Sequence, residues 1–339
     1  MDKKENLLKA LNGQPHDHIP VSFWQHLLPE DLHGIRCVDS HVEFYRRTDL
    51  DFIKIMHDGL TAPVTLRPSG LEELLAYRPG RESNPYNSEY LKRAAAVNDR
   101  LASEVYTYCN IFTPITLLRR VGDNRLRAWI RQDKQAVIDI LNRMGEDIAW
   151  LSEQMVRRAG CLGCFLAFQG AESREAAAGC PEPETAAGYV LFTPEEYEEI
   201  AGPSDQMVLE AANEASDCNI LHFCGWNQVK NHMQVWKDYP GRVLNWATCV
   251  EELTLEDGRE YFGGRIVMGG FDNRRGRLLY SAGREAVEAE TRRLVDVYRA
   301  RYKTNDGLMI GADCSFLTDF ETERFNWVTE ALKKYEHLG

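Results

Sequence analysis

A chain of 339 residues, 44% hydrophobic and 27% charged, has the composition of a globular protein with a large core, which excludes a disordered chain, a membrane bundle and a disulfide-stapled miniature scaffold. Forty Lys and Arg against 52 Asp and Glu leave a formal charge of −12, so nucleic acid and membrane surfaces are disfavoured and a small molecule is the expected partner. Nine cysteines are an odd number, and the charged start Met1-Asp2-Lys3-Lys4-Glu5-Asn6 precedes no apolar run near the ~18 residues that span a bilayer, so reduced thiols and a cytoplasmic location are expected.

In chain order, short apolar or β-branched runs fall at 19–24, 51–56, 105–112, 160–168, 219–224, 242–247, 265–270 and 308–314, separated by longer polar or amphipathic stretches. Parallel strands need crossovers of a dozen or more residues, so eight such runs predict an α/β fold, a (β/α)8 TIM barrel, in one domain over 1–339. The stretch 169–191, rich in Gly, Ala, Glu and Pro, follows the fourth strand and is expected to be a lid over the catalytic face. Next, Thr193-Pro194-Glu195-Glu196 reads as a capping box with Pro at the first helical position and a Phe192–Tyr197 staple. The helix it opens reaches about Ser216, with a break near Gly202-Pro203. Apolar stripes at Val287, Leu294, Val297 and Tyr298, and at Phe325, Val328, Ala331, Leu332 and Tyr335, predict two outer helices. No repeat or linker divides the chain.

Barrel sites are built at the C-terminal ends of strands. The fifth strand ends Leu221-His222-Phe223-Cys224-Gly225 and the eighth Gly311-Ala312-Asp313-Cys314-Ser315. Residues two apart on a strand share a face, so His222 and Cys224 converge above the barrel mouth. Cys314, 90 residues on, meets them only across the barrel axis. Two thiolates and one imidazole favour Zn²⁺ over Mg²⁺ or Ca²⁺ and leave a fourth position for reaction. The bland alternative is a satisfied core histidine and two small buried thiols.

The chain resembles the uroporphyrinogen decarboxylase superfamily, in particular its zinc-dependent methyltransferase branch typified by methylcobamide:coenzyme M methyltransferase. The resemblance rests on Ile111-Phe112-Thr113-Pro114-Ile115-Thr116-Leu117 with Gly122, on His222-Phe223-Cys224-Gly225, on Val267-Met268-Gly269-Gly270-Phe271-Asp272, and on Gly311-Ala312-Asp313-Cys314. It implies His222, Cys224 and Cys314 as zinc ligands and methyl transfer between a corrinoid (methylcobamide) and a small-molecule thiol. The Asp313-Cys314 pair is also similar to the zinc cysteine of cobalamin-independent methionine synthase. Decarboxylases proper carry an Arg-rich segment after the first strand, whereas Phe23-Trp24-Gln25-His26-Leu27-Leu28 has none before Arg36, which weakens the alternative of a lyase acting on a carboxylated tetrapyrrole. Alkyl transfer to the thiol from a non-corrinoid donor is the other alternative, and a structural zinc site ranks last because it wants four protein ligands.

Around this centre, Asn245-Trp246 ends the sixth strand where an acidic ligand would have been convenient, so water, Glu172, Asp58 or Asp272 is the expected fourth ligand. His57 and Asp58 close the second strand and are candidates for orienting substrate, and Asp313 is expected to point away from the metal. Trp24, Gln169, Tyr189, Trp226 and Trp246 are candidate pocket-lining residues. Cys161 and Cys164 form a C-x-x-C that strand alternation would split between two faces, and Cys37, Cys109, Cys180, Cys218 and Cys249 read as structural. Corrinoid carriers of this kind hold cobalt with an Asp-x-His-x-x-Gly motif, absent from these 339 residues. A separate corrinoid protein, or free methylcobalamin, is therefore expected to dock near Trp24, the 169–191 loop, Trp226 and Trp246.

Overall fold

The computed structural model describes residues 2–64, 68–122, 125–178, 192–225 and 227–336. Seven parallel strands form one sheet in strict chain order: β1 (Phe52–Ile55), β2 (Tyr106–Phe112), β3 (Gly163–Phe168), β4 (Ile220–Phe223), β5 (Val243–Trp246), β6 (Ile266–Phe271) and β7 (Leu308–Ala312). These are seven of the eight expected strands. The architecture is TIM-like, but it is not a closed eight-stranded barrel.

The expected first strand, 19–24, lies beside both β7 and β1 without forming a ladder with either. A single parallel bridge joins Val21 to Ile310, with Ser22 N donating to Ile310 O and Ile310 N to Pro20 O. Pro20 has no N–H to give. Toward β1, one backbone bond, Asp51 N to Val21 O at 3.0 Å, is supplemented by side chains: Asp51 Oδ2 accepts from Val21 N at 2.8 Å and Ser22 Oγ donates to Phe52 O at 2.7 Å.

The helices follow local signals. Thr193 and Glu196 form the capping box on Pro194–Ile200, Phe192 and Tyr197 pack with ring centroids 5.9 Å apart, and a second helix, Gly202–Ala215, begins where Gly and Pro interrupt the first. The two later amphipathic stripes lie on Arg284–Tyr302 and Arg324–Glu336. No helix among the described residues is long and apolar enough to cross a membrane.

Strand alternation then positions the site. Each strand contributes one buried residue to an apolar plug: Phe52, Tyr108, Phe165, Ile220, Val243, Met268 and Met309. Two residues further along each strand, on the same face, come Lys54, Asn110, Ala167, His222, Asn245, Gly270 and Gly311. Four of these seven carry polar side chains directly above an apolar floor. The end of β1 is pinned by Arg93, which donates to Met56 O at 2.8 Å, Asp58 O at 2.9 Å and Leu32 O at 2.8 Å.

Candidate metal centre

His222 on β4, Cys224 just beyond it and Cys314 just beyond β7 form a cluster whose ligand atoms all lie within 4.8 Å of one another. Their two Sγ atoms are 3.7 Å apart and neither cysteine is in a disulfide. A disulfide would need about 2.05 Å. Zn–S bonds of about 2.3 Å at a tetrahedral angle put two sulfurs about 3.8 Å apart, so the pair already has the edge length a zinc site needs. Among the described residues no carboxylate joins the cluster.

Asn245 decides which histidine nitrogen faces the sulfurs. Its Nδ2 donates to Met268 O at 2.9 Å and to Ala312 O at 3.0 Å, which assigns the amide orientation and leaves Oδ1 to accept from His222 Nδ1 at 2.6 Å. Nδ1 therefore carries the proton, and Nε2 presents its lone pair for a metal. Asn245 is an orienting residue where the sequence suggested the place of a ligand. Cys314 is held well below the ordinary thiol range by the hydrogen bond from Cys224, against the penalty of burial, with help from the charge of Lys54.

The cluster sits in the wall of a cavity of about 300 Å³ that is also lined by His26, Lys54, His57, Asp58, Asn110, Phe112, Arg120 and Gln169. Lys54, Asn110 and Arg120 were missed in the sequence; the signal was a lysine and an asparagine each two positions after a plug residue. Lys54 is 6% exposed, donates to Asn110 Oδ1 at 3.2 Å, and lies 4.7 Å from the Trp24 ring centroid and 4.3 Å from that of Phe165. Burial pulls it down to about 8, against the negative charges of Cys314, Asp58 and Cys224.

His57 Nδ1 lies 3.0 Å from Asn110 Nδ2, and Arg120 Nη1 donates to His57 Nε2 at 2.8 Å. Burial, and next the Arg120 charge, keep His57 well below its ordinary value and neutral. Burial alone would raise Asp58, but His26, His57 and the Leu27 N–H outweigh it and hold the carboxyl well below its usual range; His26 Nδ1 is 3.1 Å away.

The remaining candidates are placed elsewhere. Glu172 is fully buried and accepts from Arg119 at 2.7 Å and Asn227 at 2.8 Å, away from the cluster. Asp272 binds Arg274 and Arg277 beside an adjoining crevice of about 210 Å³ that Cys314 and Asp313 also line. Asp313 turns away from the cluster, accepting from Thr248 Oγ1 at 2.7 Å and Cys249 N at 3.1 Å. Trp246 is not a pocket residue: it follows Asn245 on β5 and so takes the opposite face, where it packs on Phe262 and donates to Leu253 O at 2.9 Å. Trp24, 1% exposed, and Trp246, fully buried, offer no surface to a docking protein. Tyr189, Trp226, Cys180 and most of the expected lid, 179–191, lie outside the described residues. Cys161 precedes β3 instead of lying on it, so alternation does not part it from Cys164: both thiols approach Cys109, with Cys109 and Cys164 Sγ 3.6 Å apart.

Fold and site together define a TIM-like α/β protein with a soft, metal-capable centre at the C-terminal strand ends. The family model described as Uroporphyrinogen decarboxylase (URO-D) matches residues 48–335, and the chain belongs to that family. In structure it is similar to a methyltransferase from Methanosarcina mazei, at 15% identity, TM-score 0.74 and 99% coverage of each chain, a likeness of fold. A putative vitamin-B12 independent methionine synthase from Listeria monocytogenes aligns over 88% of this chain and 84% of its own at 12% identity and TM-score 0.44, too distant to bear on function. No curated protein matches the sequence.

Proposed function

We propose that this protein is a zinc-dependent methyltransferase that moves a methyl group between a corrinoid and a thiol. The observation that carries the reading is the His222, Cys224 and Cys314 cluster in the cavity wall, with its sulfurs at the edge length of a tetrahedral zinc site and its imidazole turned by Asn245. Membership of the decarboxylase family and a fold like that of a methyltransferase support it. Zinc held there would take the substrate sulfur as thiolate at its fourth position. A free thiol of pKa ~8.5 is ~3% ionised at pH 7, so full ionisation gives ~30-fold more nucleophile, or ~2 kcal/mol, less what is lost as the thiolate becomes less basic. Holding sulfur against the methyl carbon in a cavity walled by Phe112, Met56 and Ala167 supplies the larger part, since effective molarity contributes ~7–11 kcal/mol. The Arg120 guanidinium in the cavity lining suits a thiol that carries an acceptor group. In transfer to the thiol, the C–S bond forms as the C–Co bond breaks, and both electrons of that bond stay on cobalt. The corrinoid arrives on a separate protein or free.

Zinc-edge X-ray absorption with and without a panel of thiols tests the first half: one added sulfur in the metal shell is expected, and a shell unchanged by every thiol would refute it. Visible spectroscopy tests the second. Loss of the methylcobalamin spectrum during turnover is expected, and failure to demethylate either methylcobalamin or a methylated corrinoid protein, with a thiol that does bind, would reassign the methyl donor.

A further inference from the structure

Lys54 is an expensive residue where it stands. A buried ammonium costs several kcal/mol unless it meets negative charge, and among the described residues no carboxylate comes within ion-pairing distance of its Nζ. Among the described residues its hydrogen bond goes to a neutral amide, Asn110 Oδ1, and its ring neighbours are the faces of Trp24 and Phe165. Cation–π contacts offset part of the desolvation and supply no counter-ion. The carboxylate of the cavity, Asp58, is already held by His26 and Leu27 N.

The charge of the neighbouring cluster changes with its ligand. A divalent ion with two thiolates and a neutral imidazole sums to zero, so Lys54 and the resting cluster together carry +1. Adding a substrate thiolate brings the cluster to −1 and the pair to neutrality. Without Lys54, Arg120 would be the one Lys or Arg left in the lining of this cavity, among the described residues, to face that charge. We infer that Lys54 is the counter-charge for the substrate thiolate, a positioning residue that selects an anionic sulfur over a neutral ligand at the candidate metal centre. The inference rests on the thiol reading above. The step is balanced: the S–H bond breaks, the metal–sulfur bond forms, and the proton leaves to solvent. The other charged or titratable groups facing this space are His26, His57, Asp58 and Arg120, none of which lies on β1's inward face beside Lys54.

The test compares an anionic and a neutral ligand on cobalt(II)-loaded protein. The probes are 2-mercaptoethanol, whose thiolate adds to the sulfur-to-metal charge-transfer band that Cys224 and Cys314 already give, and imidazole, which binds without charge. Lys54→Met should keep full metal content and weaken 2-mercaptoethanol at pH 7 by about tenfold or more, the usual effect of removing one nearby opposite charge, while imidazole changes by less than about threefold. Lys54→Arg should recover most of the difference, and Lys54→Gln replaces Lys54→Met if the latter does not fold. Equal weakening of both probes means a merely structural lysine and overturns the inference, as does undiminished thiol binding in the variant. If wild-type protein binds imidazole but its charge-transfer band does not grow on addition of 2-mercaptoethanol, the thiol reading fails, and the inference with it.

Discussion

Replacing Asn245 with Leu removes the acceptor that holds His222 Nδ1–H at 2.6 Å while keeping nearly the same side-chain volume. Two consequences follow from the geometry. The ring loses the only described partner of its Nδ1, so either nitrogen can carry the proton and the lone pair no longer points at the sulfurs by default. Loss of such an orienting partner costs 10–100-fold in metal affinity, or about 1.4–2.7 kcal/mol. The buried Met268 O and Ala312 O also lose their donor, which adds a stability cost of about 1–3 kcal/mol that is separate from the metal. Asn245→Asp keeps an acceptor for His222 and should retain zinc better than Asn245→Leu. Competition with a chromogenic chelator measures affinity, and circular dichroism together with urea unfolding separates it from stability. A folded Asn245→Leu protein that binds zinc as tightly as wild type would refute the tautomer argument and weaken the assignment of His222 as a ligand.

Protein purified without chelator should hold close to one zinc per chain, and Cys224→Ala or Cys314→Ala should lose most of it while staying folded; full retention in both, read by metal analysis, removes the assignment. Asp205 is fully buried; Tyr197 at 2.7 Å and Tyr239 at 3.3 Å donate to Oδ2, but burial outweighs these hydrogen bonds and pushes it up to about 7. Because the folded protein keeps this proton and the unfolded chain releases it, the group costs stability as pH rises from about 4 to about 7, at up to ~1.4 kcal/mol per unit. Asp205→Asn should therefore gain on wild type over that window and then hold level, whereas a pH-independent difference in urea midpoint would show that Asp205 is ionised in the fold. Gly258→Ala would set a Cβ 2.1 Å from Trp246 Cζ2, so thermal unfolding should show a loss of about 1–3 kcal/mol; a neutral effect would contradict the outward packing of Trp246.

Strand alternation is a local rule, and it made much of the site legible. His222 and Cys224 share a face because they are two residues apart, and the capping box at Thr193 opened its helix where Pro and Glu required it. Seven strands announced themselves as apolar runs because a strand in a parallel sheet is covered on both faces. The eighth run was equally apolar, but Pro20 cannot donate, so 19–24 packs between the sheet ends through Asp51 and Ser22.

What stayed hidden depends on partners far along the chain. Cys314 was singled out from the sequence, but its 3.7 Å approach to Cys224, 90 positions away, is set by the sheet as a whole. Asn245 reads as a missing ligand until the carbonyls of β6 and β7 turn its amide and make it the residue that orients one. Lys54, inside an apolar run, would ordinarily be set aside as a solvated charge. Only the fold places it above Phe52, against Trp24 and Phe165 and beside the thiols, because the cost of burying a charge is set by neighbours that the local sequence does not contain.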